Sequence, residues 1–246
     1  MKKPFDRRVF FKGCLSAATI VMSNPALLAR ANDRIKLYSR VKLVDQYEQP
    51  VTTDMLENKH CYVFNYPFVS TPCFLINTGQ PLVKTEALSA DNGDTYIWQG
   101  GSGPGHSIVA FAAICAHKLS YPTRTISFIN YRSSQALQMD NNQAGTTTQQ
   151  VIYCCSERSV YDPLKGAKVL SGPAPQPLTT IAIEYDNNND HYYAVGTQGA
   201  EHYDNFFERF GFNLALENQF NDIAEEVEGT TRIYKSHEYS KHLQSC

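Results

Sequence analysis

The chain has 246 residues, 42% of them apolar, which is enough for one sizeable core with decoration around it. Its 22 basic and 24 acidic side chains leave a formal charge of −2. With no long Lys/Arg run, this excludes the broad basic field that holds a nucleic-acid backbone, so no nucleic-acid partner is expected. The 15 Tyr and 13 Phe, with many Val, Ile and Thr, fall in short runs separated by Asn, Gly and Pro, which predicts a mainly β protein.

Taken in chain order, the first segment reads as an address. Asp6-Arg7-Arg8-Val9-Phe10-Phe11-Lys12 precedes an apolar stretch from Gly13 to Ser23 and then Ala29-Arg30-Ala31. A charged start, a short apolar middle and small residues at −3 and −1 are the order of a secretory signal, and the arginine pair resembles the twin-arginine export motif. Residues 1–31 are thus expected to be a signal peptide and the mature protein to be periplasmic. An apolar core of about 11 residues is well short of the roughly 20 that span a bilayer. Membrane association is expected only through an uncleaved signal or a partner. Cys14 leaves with the signal, and Cys61, Cys73, Cys115, Cys154, Cys155 and Cys246 remain in an oxidising compartment. Cys61 and Cys73 flank a possible hairpin and read either as a disulfide or as two buried thiols. Cys246 reads as an exposed thiol open to mixed-disulfide formation.

Residues 32–198 form the expected main domain. Strands are predicted at Arg34–Asp45 and within His60–Leu75; Ser102-Gly103-Pro104-Gly105 then breaks the chain before the buried-strand signature Ser107–Phe111, which runs into Cys115. The polar stretch Ser133–Gln150 predicts a surface loop. Val151–Tyr153 is a short strand ending at Cys154, and Lys168–Leu170 is another. Thr180–Tyr185 and Tyr192–Val195, joined by an Asp/Asn turn, predict a hairpin. Residues 199–246 are expected to be a helical, charged tail, with helical spacing over Tyr203–Phe212 and Leu214–Glu228.

The chemistry concentrates in two cysteine-bearing loops, each following a short apolar strand: Cys115-Ala116-His117-Lys118-Leu119-Ser120 and Cys154-Cys155-Ser156-Glu157-Arg158-Ser159-Val160-Tyr161. Downstream lies Gly172-Pro173-Ala174-Pro175. This arrangement resembles the Rieske iron–sulfur proteins over about residues 107–196, most specifically from Ser159 to Leu178. In that family a Cys-x-His loop and a Cys-x-x-His loop hold a [2Fe–2S] cluster, two thiolates on one iron and two imidazoles on the other. The resemblance implies an antiparallel β-sandwich carrying an inserted cluster-binding part at about residues 107–178. It also implies Cys115, His117 and Cys154 as ligands, Ser159 and Tyr161 as hydroxyl donors to sulfur, and Pro173 and Pro175 as a cover.

The departures are specific. Ser120 and Ser156 stand where respiratory members carry a disulfide between the loops, and Glu157 stands where the second histidine belongs. Shifting the frame by one residue gives Arg158, whose guanidinium has no available lone pair. Three outcomes are open: ligation by the Glu157 carboxylate, a third thiolate from Cys155, or a scaffold that holds no cluster. The resemblance implies single-electron transfer with a redox protein partner, a cytochrome or a larger oxidoreductase subunit. The alternative is a structural or assembly subunit.

Overall fold

The computed structural model describes residues 35–138, 146–219 and 221–246; the expected signal segment 1–31 lies outside them. The described chain is mainly β, with sixteen strands in chain order. These are β1 (Lys36–Val44), β2 (His60–Asn65), β3 (Pro72–Asn77), β4 (Glu86–Ser89), β5 (Thr95–Trp98), β6 (Ile108–Ala112), β7 (Ile126–Ser127), β8 (Ile129–Gln138), β9 (Thr146–Cys154), β10 (Ser159–Asp162), β11 (Lys168–Ser171), β12 (Thr180–Asp186) and β13 (His191–Gln198). Helix α1 (Tyr203–Asn218) follows, then β14 (Thr230–Arg232), β15 (Tyr234–Lys235), the one-turn helix α2 (Ser236–Tyr239) and β16 (His242–Leu243).

Eight strands form one sheet in the order β14-β1-β13-β12-β6-β3-β2-β15, antiparallel except for the parallel β1–β14 pair. Strand β6 is apolar without a break because both of its faces are covered. Along β3, Phe74 and Ile76 enter one core and Cys73 and Leu75 the other; β6 divides the same way, Val109 and Phe111 against Ile108 and Ala110. The period of two also settles the Cys61 and Cys73 alternative in favour of two thiols. Cys61 lies opposite Ile76 and Cys73 opposite Phe64, so the two point to opposite faces, and both are free and buried. Burial pushes both thiols far above their usual range, which leaves them inert.

A second sheet, in the order β11-β10-β9-β8, packs on one face of the first: Ile129, Ile152 and Tyr161 share a core with Phe74, Ile76 and Phe111. Of the expected loop at Ser133–Gln150, residues 139–145 lie outside the described ones and the rest is strand. β8 and β9 run through it with Gln135 opposite Gln149 and Gln138 opposite Thr146. Polar Thr and Gln carry no apolar alternation, so the period-two signal is missing there.

The tail is helical at its start, as expected, and departs from expectation beyond Asn218. One helix spans Tyr203–Asn218, and Gly211 in its interior leaves room for Ile223: a Cβ there would stand 2.9 Å from Ile223 Cδ1. The remaining tail adds β14 and β15 to the large sheet, while β16 pairs with β7. Tyr203, Phe206 and Leu214 of α1 bury against Ile114 and Leu119, so the helix braces the first cysteine loop. Among the described residues, no helix is long and apolar enough to cross a membrane.

Candidate metal centre

The two cysteine loops are built alike. Each begins at a fully buried cysteine, Cys115 after β6 and Cys154 at the end of β9. Each then turns back on itself: Leu119 N–H donates to Cys115 O at 2.9 Å, and Arg158 N–H to Cys154 O at 2.7 Å. The residue closing each turn is left-handed, Leu119 at φ +56° and Arg158 at φ +65°. Backbone of that kind costs about 1 kcal/mol or more for a residue with a Cβ, and such positions gather at functional sites.

The turns bring three donors together, and His117 stands beside them, outside that group. Sγ of Cys115, Sγ of Cys154 and a carboxylate oxygen of Glu157 all lie within 4.8 Å of one another. The Glu157 side chain is 4% exposed; its Oε2 pairs with Nδ1 of His117, whose side chain is 38% exposed. Its other oxygen, Oε1, accepts from Cys115 Sγ at 2.6 Å and from Ser159 Oγ at 3.1 Å. The cluster is thus buried on its sulfur side and open at the imidazole.

Hydroxyls line the sulfur side. The Tyr161 hydroxyl lies 3.2 Å from Cys115 Sγ and accepts from Ala116 N–H at 3.2 Å. Burial holds this phenol protonated, far above its usual range, so it is available as a donor to sulfur. Cys115 is pushed well up by its hydrogen bond to Cys154, by burial and by Glu157. Cys154 moves down, chiefly through its closeness to Cys115, although burial opposes the shift.

The covering loop meets this floor directly. Gly172, at φ +90°, approaches so closely that a Cβ would stand 2.5 Å from Ser159 Cα. Ala174 N–H then donates to Ser159 Oγ at 3.1 Å. Pro173 and Pro175 themselves are exposed, and the buried residue of the loop is Ala174 between them. Gln176 anchors the far end, accepting from Asp91 N–H at 2.9 Å and meeting Nε2 of His202 at 2.6 Å.

Cys155 is not among the converging donors. Its sulfur is joined to Cys246 in a disulfide, with the two Cα atoms 5.8 Å apart at a sequence separation of 91. A bridged sulfur is not a thiolate ligand, so the third-thiolate outcome does not hold in this state. Cys246, expected as an exposed thiol, is the partner. Ser120 and Ser156 do link the two loops, by a 2.8 Å hydrogen bond from Ser120 Oγ to Ser156 Oγ.

No family model matches the chain. Among solved structures it is similar to the soluble domain of the Rieske protein II (soxF) from Sulfolobus acidocaldarius. The two share 26% identity over 65% of this chain and 78% of that one, with a TM-score of 0.44. That overlap is too loose to carry a donor set from one protein to the other, so the site stands on its own atoms.

The donors fit an iron–sulfur group in their chemistry. Two buried sulfurs, one imidazole nitrogen and one carboxylate oxygen make four ligating groups, and soft thiolates with imidazole suit iron. Ligation requires thiolates, so the protons of Cys115 and Cys154 leave on binding, which weakens as pH falls.

Proposed function

We infer that the chain is an exported Rieske-type iron–sulfur protein that passes single electrons, alone or as the small subunit of a redox complex. The observation that carries this reading is the convergence of Cys115, Cys154 and Glu157 within 4.8 Å, with His117 paired to Glu157 at the exposed edge. Cys115, His117, Cys154 and Glu157 are the ligands in this reading; a bound [2Fe–2S] cluster supplies the one-electron chemistry. The protein holds the two sulfurs dry, presents the imidazole to solvent and points the Tyr161 hydroxyl at Cys115 sulfur. A hydrogen bond to sulfur favours the more negative, reduced state and raises the potential; the extra charge of Glu157 lowers it. The partner is a second redox protein docking at the exposed His117 edge, and the location is periplasmic, as the arginine-pair segment implies.

One observation favours a second reading, a Rieske scaffold kept as a structural or assembly subunit. Glu157 already accepts from Cys115, His117 and Ser159, so its buried carboxylate is satisfied with no metal. Visible absorption and low-temperature electron paramagnetic resonance of anaerobically prepared protein separate the two. Charge-transfer bands and a reduced-state signal, both lost in Cys115→Ser and Cys154→Ser, support the first reading. Their absence after reconstitution with iron and sulfide supports the second.

A further inference from the structure

We propose that the Cys155–Cys246 disulfide is a redox-sensitive latch that clamps the C-terminal segment onto the second donor loop and is opened by a dithiol reductant. The segment from Lys241 to Cys246 is exposed at every residue, so burial contributes little to holding it. Its backbone lies along residues 124–127. Lys241 N–H donates to Arg124 O at 3.1 Å, His242 N–H to Thr125 O at 3.1 Å and Gln244 N–H to Ser127 O at 2.9 Å. Two short strand residues and a few solvent-exposed hydrogen bonds are marginal alone. The disulfide is the one covalent anchor, and it closes directly on the residue after Cys154.

The clamped stretch is coupled to the site. Cys155 N–H donates to Phe128 O at 2.6 Å, and Ile129 pairs with Cys154 across β8 and β9. Asn130 Nδ2 reaches both Ser127 O, at 3.0 Å, and Gln244 O, at 3.1 Å, tying the tail to the strand beneath Cys154. Arg132, stacked 4.3 Å over Tyr153, directs Nη2 to the sulfurs of Cys155 and Cys246 at 3.4 and 3.6 Å. Cys246 is exposed while Cys155 is half-buried, so attack comes at the Cys246 sulfur. A reductant thiolate bonds to Cys246 Sγ, the Cys155–Cys246 bond breaks, and Cys155 leaves as a thiolate that takes up a proton. The reductant's second thiol then closes its own disulfide and releases Cys246 as a thiol. Two electrons and two protons pass from the dithiol to the protein. The tail is freed, and Cys155 becomes an unbridged sulfur beside Cys154.

The regulatory meaning of the latch rests on the donor loops being the working site, but the latch itself does not. Amide hydrogen exchange of the full mature chain, prepared without iron, reads the latch independently of any cluster. Dithiothreitol, or the Cys246→Ser substitution, is expected to speed exchange of the Lys241, His242 and Gln244 amides on the order of tenfold or more, with β3 and β6 unchanged. Unchanged protection of those three amides after verified reduction would overturn the proposal. So would alkylation of Cys155 and Cys246 in protein isolated without reductant. Iron content, measured separately on loaded protein, tests the donor site and leaves the latch result untouched.

Discussion

Sγ of Cys115 lies 2.6 Å from Oε1 of Glu157, so a thiol from the first loop and a carboxylate from the second meet inside the protein. The other oxygen of that carboxylate holds His117. Glu157 is therefore the residue through which both loops are organised. Replacing it distinguishes its two roles. In metal-free protein, Glu157→Ala leaves a buried thiol and an imidazole without their acceptor and is expected to cost about 1–3 kcal/mol, read by urea denaturation. In iron-loaded protein, Glu157→His exchanges a charged ligand for a neutral one. Its reduction potential, measured by spectroelectrochemistry, is expected to rise. A fall would show that Glu157 is no ligand.

The hydrogen bond between Ser120 and Ser156 marks where a covalent bridge between the loops fits. With the two oxygens 2.8 Å apart, the double variant Ser120→Cys, Ser156→Cys is expected to form a disulfide in air without disturbing the fold. Peptide mapping under non-reducing conditions checks it. Two alkylatable thiols at those positions would show that the loops do not meet as described.

Gly172 is where the covering loop has no room to spare. A methyl group at φ +90°, 2.5 Å from Ser159 Cα and 2.7 Å from Arg158 O, forces the loop away from the donors. Gly172→Ala is expected to destabilise by about 1–3 kcal/mol and to raise proteolytic cleavage within residues 172–178. Wild-type resistance in the variant would count against the close approach.

His202 sets a pH window for the same loop. Burial lowers its folded pKa below the ordinary value of 6.5, although Asp91 opposes the shift, and Gln176 meets its Nε2. The unfolded chain takes up the proton near 6.5 while the folded chain resists. Stability from this residue is thus present above pH 6.5 and lost as pH falls below it. Carboxylates held low by partners, such as Asp186 beside Asn189, act only at still lower pH. Melting temperature is expected to drop between pH 7 and pH 5, and His202→Gln to flatten that slope; an equal slope in both proteins would refute the assignment.

The meeting of Cys115, Cys154 and Glu157 was readable because each loop is short: Cys115 and His117, Cys154 and Glu157 each sit within one turn. The Cys155–Cys246 bridge was not, since its ends lie at a sequence separation of 91 and nothing local connects them. The tail strands carry two or three residues each, too few for a period to show. β8 and β9 were hidden for another reason: their Thr- and Gln-rich ends are strand by pairing with each other and carry no apolar alternation. The roles of Gln176 and His202 depend on the covering loop meeting the start of α1, a contact between distant segments.

Iron and acid-labile sulfide, assayed per chain in protein purified anaerobically from iron-replete cells, test the central claim most directly. The account predicts about two of each, both lost in Cys115→Ser and Cys154→Ser. A folded, colourless wild-type chain that takes up neither iron nor sulfide on reconstitution would contradict it.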